Sequence, residues 1–148
     1  MLYMHLTLYQ VTGASLYPEW FAQWVLDYAL QNSAIIVTAD YRLVPESNGL
    51  EILQDISDFW DWVRKDFKKQ VSHFRAGIEA DLSKIIVHGG SAGGYLALQS
   101  GFLQPPEFIK AVIAVYPGMG TDRKDDNTVL GTGTIPKSVL EDHLTSMK

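Results

Sequence analysis

The sequence predicts an α/β protein: an open, mainly parallel sheet of about four strands with flanking helices. Three observations carry that prediction. Short β-branched apolar runs alternate with longer stretches along the chain, an order that implies parallel pairing through right-handed crossovers. The longer stretches carry apolar residues at helical spacing, one face at a time. One run, Lys84 to Gly101, passes from strand-forming to helix-forming residues through a glycine-rich turn. At 148 residues the chain can bury a core and reads most simply as one domain, 1–148.

Leu2, Met4, Leu6 and Leu8 alternate with Tyr3, His5, Thr7 and Tyr9, the period of a strand. Gly13-Ala14-Ser15 ends it, and Ser15 suits the N-cap of the segment that follows. From Pro18 to Gln31 the residues Phe21, Trp24, Val25, Tyr28 and Ala29 share a helical face, which Asn32-Ser33 stops. Ala34 to Ala39 is continuously apolar apart from Thr38, as expected of a strand covered on both faces. Asp40 to Gly49 is a polar loop containing Pro45. Ile52, Ile56, Phe59, Trp60 and Val63 then form a stripe on a helix expected to end near Gln70. Ser72 to Ser83, with Gly77, is a connector to a third strand at Ile85-Ile86-Val87. The next helix runs to about Leu103, where Pro105-Pro106 ends it. Ile109 to Tyr116 is the fourth strand, closed by Pro117-Gly118. Residues 121–148 are expected to be poorly ordered or to form one short helix near Lys137 to Leu144.

A net charge of -5 argues against nucleic acid as a partner, because phosphate binding needs clustered Lys and Arg. Lys68-Lys69, with Arg64 and Lys65, sits among Asp58, Asp61 and Asp66 and reads as a solvated helix face. The absence of cysteine excludes disulfides, zinc-thiolate sites and thiol catalysis. No apolar run approaches the roughly 18 residues of a membrane span. The first nine residues lack the basic start and cleavage site of a signal peptide. The expected location is cytoplasmic.

The turn in the third βα unit reads Gly89-Gly90-Ser91-Ala92-Gly93-Gly94. A serine at the apex, with glycine two residues to either side, is the G-x-S-x-G spacing. The serine occupies a strained turn that projects its hydroxyl from the sheet edge, and the glycines let strand and helix approach. The Ala92 N–H, at the start of a helix, would face an oxyanion formed on a substrate. A phosphate cradle fits less well. The third position of G-x-G-x-x-G, its second glycine, is Ser91 here, and Tyr95-Leu96 stands where a P-loop needs Lys followed by Ser or Thr.

A second motif, Asp40-Tyr41-Arg42-Leu43-Val44-Pro45-Glu46, follows the preceding strand. With the serine turn it resembles the hormone-sensitive-lipase-like esterases of the α/β-hydrolase fold, over about Val11 to Gly118. The resemblance covers the middle of a longer family domain, hence a partial α/β-hydrolase fold. It implies that Ser91 is the nucleophile of carboxylic-ester hydrolysis through an acyl-enzyme. Ala92 would supply an oxyanion donor, and Gly89, Gly90, Gly93 and Gly94 the nucleophile elbow. Asp40, Tyr41, Arg42 and Glu46 would form a loop supporting the site, in which Arg42 and Glu46 could pair. The implied partner is a small-molecule ester, with no cofactor and no metal.

Two departures qualify the activity. The family carries an H-G-G-G loop of oxyanion donors, whereas Leu6-Thr7-Leu8-Tyr9-Gln10 contains no glycine. Losing one such donor costs about 10²–10³ in turnover. The family's acid and base also follow two further strands in the order Ser, Asp or Glu, His. Here Asp122, Asp125, Asp126, Glu141 and Asp142 are the later acids, and His143 is the single later histidine. His143 is expected at the surface near the terminus, His88 packed against a neighbour, and His73 at the opposite sheet edge. The chain therefore reads as a truncated esterase with absent or residual turnover. The alternative is a non-catalytic binding protein for acyl or ester ligands. Uncovered sheet edges and helix faces would favour self-association.

Overall fold

The computed structural model describes residues 2–7, 22–44, 46–118, 128–129, 132–134 and 136–146. In chain order the elements are β1 (Leu2–Thr7), α1 (Gln23–Gln31), β2 (Ile35–Val37), α2 (Gly49–Lys65), α3 (Phe67–Phe74), β3 (Ile85–Gly90), α4 (Ala92–Leu103), β4 (Ile109–Val115), β5 (Thr128–Val129), β6 (Thr132–Thr134) and α5 (Lys137–Ser146). The expected break at Gly13-Ala14-Ser15 and the helix start at Pro18 fall outside the described residues.

Four strands form one sheet in the order β2-β1-β3-β4, every neighbouring pair parallel. Met4 stands in register with Val37 on one side and Val87 on the other. The crossover from β1 to β2 runs one way along the sheet, and those from β2 to β3 and β3 to β4 run the other. Right-handed connections therefore put α1 on one face and α2, α3 and α4 on the opposite face. The direction reverses between β1 and β3, and ligands of open parallel sheets sit outside the strand carboxyl ends at such a reversal. Ser91 follows β3 directly.

The sequence leaves the strand order open, and the structure supplies it. The run read as doubly covered, Ala34 to Ala39, yields a three-residue β2 that pairs with β1 alone among the described residues and is half-buried. The alternating segment became β1, which lies between two neighbours. The crossovers decide this, since β3 passes over β1 to pair on its far side.

Local chemistry sets the helix ends. The Asn48 side chain accepts from the Leu50 and Glu51 amides, while Glu51 accepts from the Asn48 amide, so a capping box starts α2. The single helix expected through Gln70 breaks at Asp66 (φ −123, ψ −24). Its apolar stripe nevertheless continues, because Phe67 follows Val63 by four residues and is buried. Ile56, Trp60 and Val63 of α2, with Phe67, pack on Ile85 and Val87 of β3 and on Leu96 and Ala97 of α4. Across this core Trp60 Nε1 donates to Ser100 Oγ at 3.0 Å, and Ser100 Oγ donates to the Leu96 carbonyl at 2.9 Å. The C-terminal region contains α5 and a short antiparallel pair, β5 with β6, which sequence periodicity did not mark. Phe102, Leu103 and Ile113 remain exposed beside β4. Among the described residues no helix is long and apolar enough to cross a membrane.

Candidate active site

The period of two along β3 builds the site. Ile85 and Val87 point into the α2–α4 core, and Gly89 shares their face. His88 and Gly90 take the other face, toward α1 and the loop after β4. A Cβ on Gly89 would overlap the Gly93 carbonyl and lie 2.9 Å from Gly94 N. A Cβ on Gly94 would meet Pro117 Cα at 3.0 Å and the Gly89 carbonyl at 3.1 Å. The glycines thus serve close approach of strand, helix and the loop after β4. A Cβ on Gly90 would stand 3.3 Å from the Tyr116 hydroxyl.

Ser91 occupies the apex with φ 54 and ψ −124 and is exposed. This is a left-handed φ that costs a non-glycine residue about 1–3 kcal/mol unless its surroundings hold it. They do so through three backbone bonds. Ser91 N donates to the Val115 carbonyl at 3.0 Å, and the Ser91 carbonyl accepts from Gly118 N at 2.8 Å and Tyr95 N at 3.2 Å. Ala92 begins α4, where early amides lack intrahelical partners. Gly118 crosses that point, and a Cβ there would sit 3.6 Å from Ala92 N. The arrangement offers an exposed serine at a helix N-terminus, with Gly118 close against its first amide.

The loop after β2 reaches the same sheet edge. Arg42 does not pair with Glu46, contrary to the sequence expectation. Its guanidinium bonds both oxygens of Asp55 at 2.8–3.0 Å and the Glu51 carbonyl at 2.8 Å, and its own amide bonds Asp55 at 2.8 Å. Asp55 lies one turn beyond Glu51 on α2, so the bidentate partner sits directly under the arginine. That bond holds the Asp55 carboxyl below its usual range. Glu46 instead bonds His143 Nε2 at 2.7 Å, which lowers the Glu46 pKa. Asp40 is exposed. Tyr41 is half-buried; its hydroxyl has no hydrogen-bond partner among the described residues, and burial raises its pKa.

A mainly apolar pocket opens beside the elbow, with about 530 Å³ of empty space, part of it open to solvent. Leu43 and Val44 line it from the loop, Ile52 from α2, and Ala92, Tyr95 and Leu96 from α4.

His73, His88 and His143 lie apart from Ser91. His88 is buried, its ring edge-on to Trp24 with centroids 5.0 Å apart, and desolvation lowers its pKa. His73 is exposed on α3, which leads into the amino end of β3. His143 is on the surface of α5, paired with Glu46. Among the described residues no side chain hydrogen-bonds the Ser91 hydroxyl, and no group of three His, Asp or Glu could hold a metal ion. Asp122, Asp125 and Asp126 lie outside the described residues; Glu141 and Asp142 are exposed on α5. Tyr116 was not singled out from sequence, yet its φ of 37 is left-handed, and its exposed phenol covers Gly90 next to the serine. A bulky residue before proline ordinarily takes an extended φ, so sequence gave no signal for it.

A parallel sheet whose switch point carries a strained serine before a helix defines a hydrolase architecture. The chain belongs to the α/β-hydrolase family: a family model described as alpha/beta hydrolase fold matches residues 1–143. It is 39% identical over 106 residues to a probable carboxylesterase of Phoma sp., covering 72% of this chain and 33% of that protein. A probable carboxylesterase of Cochliobolus lunatus is 35% identical over 85 residues, covering 57% of this chain and 39% of that one. Among solved structures, a Pyrobaculum calidifontis esterase superposes with a TM-score of 0.52 at 25% identity, over 78% of this chain and 36% of its own. The chain thus spans between a third and two fifths of the length of these relatives.

Proposed function

We propose that the chain carries the nucleophile part of a carboxylic-ester hydrolase, with Ser91 attacking an ester of small or medium acyl group. The observation that carries this is the strained, exposed Ser91 at the switch point, directly ahead of α4. Ser91 Oγ bonds the acyl carbon, its proton passes to solvent, and the tetrahedral oxyanion faces the Ala92 N–H and the positive end of α4. Collapse expels the alkoxide, which takes a proton from solvent to leave as the alcohol, and water then releases the acid from the acyl-serine and restores the Ser91 hydroxyl. Membership of the family and similarity to carboxylesterases support the reaction class.

Turnover by this chain is residual in this reading, because His88 is engaged with Trp24 and His143 with Glu46. The same two observations favour a second reading, in which acyl or ester ligands bind without being hydrolysed. A chromogenic short-chain ester assay on the wild type and Ser91→Ala separates the two, read beside covalent labelling of Ser91 by an activated alkyl phosphonate. Hydrolysis above the Ser91→Ala background, with a label on Ser91, is expected. Equal rates and no label would leave ligand binding as the function.

A further inference from the structure

We propose that the end of α3 docks on an anionic lipid bilayer, with Phe74 entering the headgroup boundary and Lys68, Lys69 and Arg75 facing the anionic headgroups. Phe67, Val71 and Phe74 stand at i, i+4 and i+7, one stripe of α3. The stripe begins in the core, where Phe67 is buried and Val71 packs against it. It then runs off the core: Phe74 is 86% exposed, and Ile78, just after Gly77, is exposed too. Charge is segregated around this end. Residues 67–78 hold Lys68, Lys69 and Arg75 and no carboxylate, in a chain whose net charge is -5. Arg64 and Lys65, just before them, are engaged with Asp61, as a solvated helix face would have them. Lys68, Lys69 and Arg75 are exposed and form no ion pair among the described residues.

An exposed aromatic side chain with cations around it is what a helix needs to lie on a membrane surface. Each Lys or Arg close to an anionic bilayer contributes about fivefold in partitioning, the equivalent of ~1 kcal/mol, so three contribute roughly a hundredfold. Phe74 gains only where the partner offers an apolar interior, which a nucleic acid backbone does not. The depression next to it, between Lys69, Gln70, Ser72 and His73, has no apolar wall to receive a peptide side chain. α3 leads into the amino end of β3 and Ser91 follows its carboxyl end, so the docked chain keeps Ser91 at the far end of that strand.

The test is co-sedimentation with vesicles of phosphatidylcholine alone or with about one third phosphatidylserine. The wild type is expected to bind the anionic vesicles, to ignore the neutral ones and to be released by salt. Replacing Lys68, Lys69 and Arg75 together by Gln is expected to cost about a hundredfold in partitioning, and Phe74→Ser about tenfold. Both variants are expected to keep the wild-type melting temperature, because all four side chains are exposed. Since the chain has no cysteine, Phe74→Cys takes a single polarity-sensitive dye, whose emission is expected to shift to the blue on anionic vesicles. Leu30→Cys is the control, 80% exposed at the end of α1 on the other face of the sheet, and no shift is expected there. No sedimentation with anionic vesicles, equal binding to neutral ones, wild-type binding by both variants, or a blue shift at 30 in place of 74 overturns the proposal. Tighter binding to labelled polyglutamate or to a DNA duplex than to vesicles would assign the cations to a soluble polyanion and overturn it as well.

Discussion

Alanine at Gly89 probes the elbow at the point where strand and helix have no room to spare. The added methyl overlaps the Gly93 carbonyl and lies 2.9 Å from Gly94 N. Both belong to the backbone of the first turn of α4, so no rotamer change relieves the contact and the two elements must separate. Separation works against the Ser91–Val115 and Gly118–Ser91 bonds and against Leu96 and Ala97, which are buried on Ile85 and Val87. Overpacking a tight interior costs about 1–3 kcal/mol. With only backbone to displace, Gly89→Ala falls at the upper end, ~3 kcal/mol, or roughly 6–12 °C in melting temperature for a chain of this size. Thermal unfolding followed by circular dichroism gives the first number, and the rate of phosphonate labelling at Ser91 reports the elbow itself. Gly49→Ala is the control, since open space surrounds its Cβ; it is expected to gain about 0.4–1 kcal/mol. A Gly89→Ala protein that melts within a degree of wild type and labels at the wild-type rate would refute close approach as the reason for glycine there.

Two further outcomes follow from the core and from acid titration. Ser100→Ala leaves the buried Trp60 N–H without its acceptor and is expected to cost about 1–3 kcal/mol. With Trp60→Phe the same change costs less, and a urea double-mutant cycle giving no coupling would contradict the bond. The Ser83 hydroxyl and amide hold Asp81 at about 2. Because that folded value is depressed, the stability it contributes is full above the ordinary aspartate value, near 3.9, and is lost as pH falls through about 2. Asp81→Asn is expected to flatten the acid limb of urea midpoints over that window; an unchanged limb would contradict it.

The sequence made some of these features legible because their causes are local. Ile56, Trp60 and Val63 announce their helix by spacing, and the glycines flank Ser91; the capping box of Asn48 and Glu51 came only with the structure. Pairing is another matter. Continuity in Ala34 to Ala39 suggests cover on both faces, whereas β2 is half-buried and has β1 as its one neighbour among the described residues, because crossovers rather than composition decide which strands pair. Ion pairs were harder still. Arg42 had Glu46 close in sequence and Asp55 13 residues away, yet only α2 geometry brings a bidentate acceptor beneath it. Glu46 met His143 across 97 residues, a contact no spacing rule could rank.

That asymmetry between local and distant causes bears on the chemistry. The elbow is fixed by its glycines and by three backbone bonds, so Ser91 can keep its strained φ whatever becomes of a base. In serine hydrolases that lose the nucleophile or base, about 10³–10⁴ over water survives from the oxyanion hole and binding. An oxyanion hole short of one donor loses about 10²–10³ of what it supplies, and Leu6 to Gln10 offer no glycine loop to provide that donor. In the proposed reading the two figures leave at most roughly a hundredfold over uncatalysed hydrolysis. A rate that small disappears against spontaneous ester breakdown unless it is taken as the difference from Ser91→Ala. Covalent labelling adds a site-specific measurement, because a phosphonate marks Ser91 only if its hydroxyl is more nucleophilic than an ordinary serine's.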